Sequence, residues 1–180
     1  MSVDQKHNRV EVAAGRVKAD IVVKNAKIVN VFTKEIIEGD IAILGDLIVG
    51  VGEYEGITQI DACGKYVCPG LIDAHVHIES SMVTPGEFAR NILPHGTTTI
   101  IADPHEIANV CGLEGIQFML DQSKDLPINI FMMVPSCVPA TPFENNGASI
   151  TAEAMKAFTG DSRILGLGEV MDFNAVLSGN

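Results

Sequence analysis

Apolar and polar positions follow two different rhythms along this chain. In the first third the apolar runs are short and broken by turn residues. Residues 19–32 (ADIVVKNAKIVNVF) hold two β-branched runs parted by Asn25-Ala26, and residues 39–51 (GDIAILGDLIVGV) hold two more parted by Gly45-Asp46. A Gly-Asp pair between apolar runs predicts a hairpin with a type I′ or II′ turn. Shorter strands are expected over 57–62 and 65–68, around Gly64. The pattern predicts a small antiparallel sheet or sandwich over about 8–66, within a first domain at residues 1–66.

From Val67 the apolar runs lengthen and alternate with helical spacing. Strands are predicted over 67–78, 97–102, 128–134 and 164–171. Helices are predicted between them over 84–94, 113–123 and 151–158, with Thr84 and Thr151 as N-caps and Pro85 in a first turn. Strands alternating with helices imply parallel β/α units, an α/β fold class, in a second domain at 67–180. Near-continuous apolar strands fit a sheet buried on both faces.

Composition narrows the partners. The 180 residues are 47% hydrophobic with a formal net charge of −11, and no basic patch is visible. Nucleic acid and anionic membrane surfaces are therefore not expected partners. No apolar run approaches the ~20 residues that span a bilayer, and residues 1–9 form a polar tail without a secretory core. Four cysteines, at 63, 68, 111 and 137, make no C-x-x-C pair. Reduced thiols in a cytoplasm are the simplest reading.

Candidate chemistry gathers at predicted strand ends. His75 and His77 stand two apart, and on a strand such residues point to one side. Two convergent imidazoles are half of a metal site, although a half-buried strand with two solvent-facing polar residues has the same spacing. Asp73 shares their face and Glu79 follows them. Glu169 closes the apolar run Leu165-Gly166-Leu167-Gly168, where a carboxylate needs a cationic partner. Arg163 is one candidate and a divalent ion shared with the histidines is the other. Asp103, His105 and Glu106 lie past the second strand of the alternating region, as substrate or supporting contacts or as a loop capping the next helix. His95, between Pro94 and Gly96, reads as a structural turn residue, and His7 belongs to the polar tail. The long loop 135–150 has no assigned role, nor has Pro135-Ser136-Cys137 at the third strand end.

Residues 69–77 (PGLIDAHVH) resemble the Pro-Gly-(Leu/Phe)-Ile-Asp-x-His-x-His signature of the amidohydrolase superfamily, and the β-rich stretch from Ala19 is similar to that superfamily's small N-terminal domain. Within it, HVHIESSM (75–82), ADPHEIANVCG (102–112) and GLGEVM (166–171) resemble the prokaryotic-type adenine deaminases. The resemblance implies a small β-sandwich domain followed by the first four β/α units of a TIM barrel, an incomplete barrel. It implies a binuclear divalent metal centre, manganese or iron first and zinc as an alternative, with His75, His77 and Glu169 as ligands and Glu169 as the bridge. Asp73, Glu79, His105 and Glu106 then stand as substrate or supporting residues. The implied reaction converts adenine and water to hypoxanthine and ammonia, through water whose pKa the metal lowers from 15.7 to about 7. An acidic Glu79, where dihydroorotase-like members carry arginine, argues against an anionic substrate.

The family's two further metal histidines and its general-base aspartate have no counterpart in these 180 residues. The expectation is an N-terminal piece of a longer, homo-oligomeric polypeptide, inactive alone because half a barrel leaves two strand edges open. The alternatives are a hydantoinase-like hydrolase of cyclic amides and a non-catalytic metal-binding module. The zinc-dependent cytidine deaminase pattern needs P-C-x-x-C beside its H-x-E, and no P-C-x-x-C occurs.

Overall fold

The structure, a computed structural model, describes residues 3–179. Met1, Ser2 and Asn180, the outermost ends of the two expected domains, lie outside the described residues. The chain divides into two compact units between Pro69 and Gly70.

The first unit holds α1 (Val3–Ala13), β1 (Ala19–Asn30), β2 (Glu35–Leu44), β3 (Leu47–Gly52), β4 (Gly56–Asp61) and β5 (Tyr66–Val67). They form one sheet in the order β3-β2-β1-β4, with β5 also on β1. The β2–β3 hairpin turns at Gly45-Asp46, where Gly45 takes φ 60°, the sign a type II′ turn asks of its first central residue. β1 pairs antiparallel with β2 but parallel with β4 and β5, so the sheet is mixed and not purely antiparallel. The two runs around Asn25 are a single strand with a register shift between Val23 and Ala26, and Asn25 adopts φ 53° at the irregularity. Alternation sends Val22 and Ala42 into one apolar cluster, and Ile28 and Ile41 into another. Val12 of α1 is fully buried in the first cluster. The polar tail of the sequence reading is therefore in large part a helix, anchored through the apolar end of a segment whose other residues are mostly polar.

The second unit contains β6 (Leu71–Val76), α2 (Pro85–Ile92), β7 (Thr97–Ala102), α3 (His105–Gln122), β8 (Asn129–Val134), α4 (Ala152–Met155), β9 (Ile164–Leu167) and α5 (Phe173–Ser178). The four strands are parallel and pair in chain order. Ile78, Ile100, Ile116, Leu120 and Met132 are buried at its core.

Four expectations change here. The strand expected over 67–78 is two: Tyr66–Val67 pairs with β1 in the first unit, and Leu71–Val76 opens the parallel sheet. α3 begins at His105 and not at Leu113. Its halves meet at Gly112 (φ 62°, ψ −142°), which interrupts the apolar spacing and hid the first half. His105 and Glu106 therefore stand on a helix, not in a loop. β9 stops at Leu167, so Glu169 follows the strand and is not within it. Thr151 caps α4 through its side chain, 3.3 Å from the Ala154 N–H, whereas Thr84 precedes Pro85 without a side-chain cap and accepts the Phe88 N–H at its carbonyl.

Candidate metal centre

His75 on β6 and His77, one residue past the end of that strand, bring their imidazoles to one place. The rings of His75 and His77 lie 5.0 Å apart between centroids, at 88° to each other. One carboxylate oxygen of Glu169, Oε1, is 3.2 Å from His77 Nε2 and 3.6 Å from His75 Nε2. One ligand atom from each of the three residues falls within 4.8 Å of the others. Two imidazoles and a carboxylate are a donor set suited to zinc, manganese or iron, and three protein ligands leave positions for water or substrate.

The guanidinium of Arg163 is not the partner of Glu169. It donates to both Asp161 oxygens and to the Leu120 carbonyl. Nor does burial force a cation on Glu169, whose side chain is 43% exposed. The convergence of the three side chains now carries the argument that strand burial carried in the sequence.

The Glu169 backbone is held from two directions. Asp103, fully buried at the end of β7, accepts its N–H at 3.1 Å, and Ser136 donates from Oγ to its carbonyl at 2.6 Å. A Cβ on Gly168 would overlap the Asp103 carboxylate, so only glycine lets the two segments meet this closely. Burial raises the Asp103 carboxyl above its usual range, against the opposing pull of the Glu169 N–H. Ser136 supplies a role for a strand end that had none in the sequence, and no local motif announces it, because its partner is a main-chain oxygen 33 residues away.

Carboxylates surround His77. Its Nδ1 lies 3.1 Å from Glu106 Oε2, though not aligned as a hydrogen bond. Burial lowers its basicity, but attraction from Glu106, Asp103 and Glu169 prevails and raises it. Ser80 donates to Glu106 Oε1 at 2.6 Å. Burial raises Glu106, yet the Ser80 bond and the pull of His77 leave it below its usual range. Glu79 receives the Ile107 N–H at 3.2 Å, and burial pushes its carboxyl up. Asp73 does not reach the cluster in its contacts. Its Oδ1 accepts the His75 N–H at 3.2 Å, steadying the backbone that carries the ligand.

A cleft of about 330 Å³ opens beside these groups, lined by His77, His105, Glu106, Asn109, Ala140, Glu144, Glu169 and Met171. His105 is 7% exposed. Asn109 and Glu144 were not singled out in the sequence; a helix that starts at His105 would have placed Asn109 one turn on. A larger hollow of about 760 Å³ in the first unit is lined by Lys24 and Asp40 among others. Those two charges already satisfy one another at 2.5 Å.

A family model described as Amidohydrolase family matches residues 66–174. The chain is 63% identical to an adenine deaminase of Geobacillus kaustophilus over 167 residues, 93% of this chain and 29% of that protein. It is 56% identical to adenine deaminases of Clostridium acetobutylicum, over 94% of this chain and 30% of that protein, and of Bacillus velezensis, over 99% and 31%. The chain therefore spans about 30% of the length of the curated relatives it matches.

Proposed function

This chain belongs to the amidohydrolase family, and on that footing we propose that it is the opening part of a metal-dependent adenine deaminase, converting adenine and water to hypoxanthine and ammonia. The observation that carries the reading is the meeting of His75, His77 and Glu169 in a chain so close to relatives named for that activity.

The four parallel strands, each followed by a helix, support the first half of a (β/α)₈ barrel. In that fold the chemistry collects at the C-terminal ends of strands, where His75, His77, Asp103, Ser136 and Glu169 stand. Apolar Leu71 and Ile72 on β6, and Leu165 and Leu167 on β9, are exposed on the two edge strands. Further barrel units would pair those edges and cover those side chains. The mixed sheet of the first unit is read as part of a small β-sandwich. The proposed domains keep the order of the sequence reading, 1–66 and 67–180, with the boundary moved to Pro69/Gly70 because Tyr66–Val67 pairs with β1.

His75, His77 and Glu169 are the proposed ligands of a binuclear centre of manganese or iron, with zinc as the alternative and the remaining ligands outside this chain. When bound, the ions supply activated water and polarise the reacting group. Other residues of this chain support the proposed ligands. Asp103 and Ser136 hold the Glu169 backbone in place. Glu106, fixed by Ser80, presents Oε2 in the cleft beside His77, where a carboxylate can accept a hydrogen bond from a substrate N–H. Glu106, Glu144 and Glu169 line the cleft without a lysine or arginine, which favours an uncharged substrate over an anion. Four free cysteines support a cytoplasmic setting. No helix among the described residues is long and apolar enough to cross a membrane.

The test is ammonia release from adenine by the complete polypeptide, with metal content measured on the same sample. Metal-loaded protein that ignores adenine but opens hydantoin or dihydrouracil would replace this reading with a cyclic amide hydrolase.

A further inference from the structure

Two side chains on the opening turns of α3, buried His105 and half-buried Asn109, hold buried polar atoms without a partner. Neither ring nitrogen of His105 has a hydrogen-bond partner, and the Oδ1 of Asn109 is buried and unpartnered as well. Residues four apart share a helix face, and both line the cleft beside His77 and Glu106. Neither belongs to the His75-His77-Glu169 group. A buried polar atom without a partner destabilises the fold unless something arrives to meet it.

The main chain also fixes this turn. The Asn109 carbonyl accepts N–H groups from Gly147 at 2.9 Å and Ala148 at 3.2 Å, which seats the 135–150 loop on the helix. That loop brings Glu144 to the cleft.

We propose that Asn109 and His105 are specificity-determining residues that hydrogen-bond the ring-nitrogen edge of an uncharged nitrogen heterocycle at this cleft. The inference rests on the adenine reading and names the groups that recognise that substrate. A carboxamide carries a donor and an acceptor side by side, which matches N7 and the 6-amino group of adenine. An imidazole adds an N–H donor for a further ring nitrogen. Apart from His77, the other polar groups of the cleft are the carboxylates of Glu106, Glu144 and Glu169, so Asn109 and His105 are what it offers as further recognition groups.

The experiment uses the complete polypeptide with Asn109→Leu, Asn109→Asp and His105→Leu. Steady-state rates are measured with adenine and 7-deazaadenine, and adenine binding to the metal-free protein is followed by calorimetry. Asn109→Leu should raise both KM and the metal-free Kd for adenine about tenfold, with a larger effect on KM than on kcat. Its preference for adenine over 7-deazaadenine should fall toward unity while bound metal stays at the unsubstituted level. Asn109→Asp keeps the size and shape of the side chain and decides the matter if the leucine variant fails to fold. Unsubstituted protein that neither binds nor deaminates adenine overturns the adenine reading and this inference with it. Intact adenine chemistry that is indifferent to all three substitutions overturns this inference alone.

Discussion

The Asp103 carboxylate receives the main-chain N–H of Glu169 across a gap that only glycine at 168 leaves open. This contact ties the end of β7 to the segment after β9, two strands away in the sheet. It links a buried acid that ligates nothing in the proposed centre to the carboxylate that does. The position of Glu169 is thus set by packing against Asp103 before any ion binds.

Gly168→Ala tests that relationship. The added Cβ would overlap the Asp103 carboxylate, so that side chain or one of the two segments must shift. Overpacking of this kind costs about 1–3 kcal/mol. We expect a lower denaturation midpoint together with reduced bound metal in the complete polypeptide, read by denaturant titration and elemental analysis. Full metal occupancy in a destabilised variant would separate the packing from the centre.

The proposed ligands make a sharper demand. Glu169→Gln keeps shape and removes charge, and it should lower metal affinity and adenine turnover at least about a hundredfold. His75→Ala should leave less metal bound than in the unsubstituted protein. Unchanged stoichiometry in both variants would detach these residues from metal binding.

What was legible in the sequence depended on how local the signal was. The i, i+2 spacing of His75 and His77 is a local signal, and the structure brings the pair together with Glu169, although β6 ends at Val76 and His77 follows it. The parallel strands were readable from apolar runs with glycine and proline between them. The first half of α3 was not, because Gly112 breaks its periodicity and Asp103-Pro104 reads as a loop. Ser136 and Asp103 act through main-chain atoms far along the chain, which no pattern of residue types records. Glu169 lies past β9 with its side chain 43% exposed, so strand burial does not mark it; its convergence with His75 and His77 does. The mixed sheet of the first unit escaped for a similar reason, since the strand composition there does not say whether β4 returns parallel or antiparallel to β1.

The first unit carries its own pH dependence. Asp40 is 6% exposed and accepts from Lys24 Nζ and from the Asn25 and Tyr54 N–H groups. Burial raises its carboxyl, but the Lys24 bond and the two backbone N–H groups outweigh it and hold it below the usual range. A carboxylate depressed in the folded state contributes stability that is complete above its unfolded pKa, about 3.9, and is lost as pH falls through the folded value. Asp40→Asn should therefore cost about 1–3 kcal/mol at pH 7, a penalty that shrinks only below about pH 4. Urea unfolding followed by far-ultraviolet circular dichroism at pH 7 and in acid checks the sign. A penalty that grows on acidification would contradict it.

The 135–150 loop offers a test of how its seat on α3 matters. Gly147 donates to the Asn109 carbonyl at 2.9 Å, and a Cβ there would overlap the Val110 carbonyl. Backbone cannot yield as a flexible side chain can, so Gly147→Ala should lift the loop from the helix. The Val138–Ile150 bridge at the base of the loop is separate from this contact and should persist. The expected result is faster proteolysis confined to the loop, with metal content retained, because none of the three proposed ligands lies in it. Substrate affinity should weaken through loss of the wall that Ala140 and Glu144 contribute to the cleft. Unaltered proteolysis and unaltered KM would show that the loop is held by contacts other than its hydrogen bonds to Asn109.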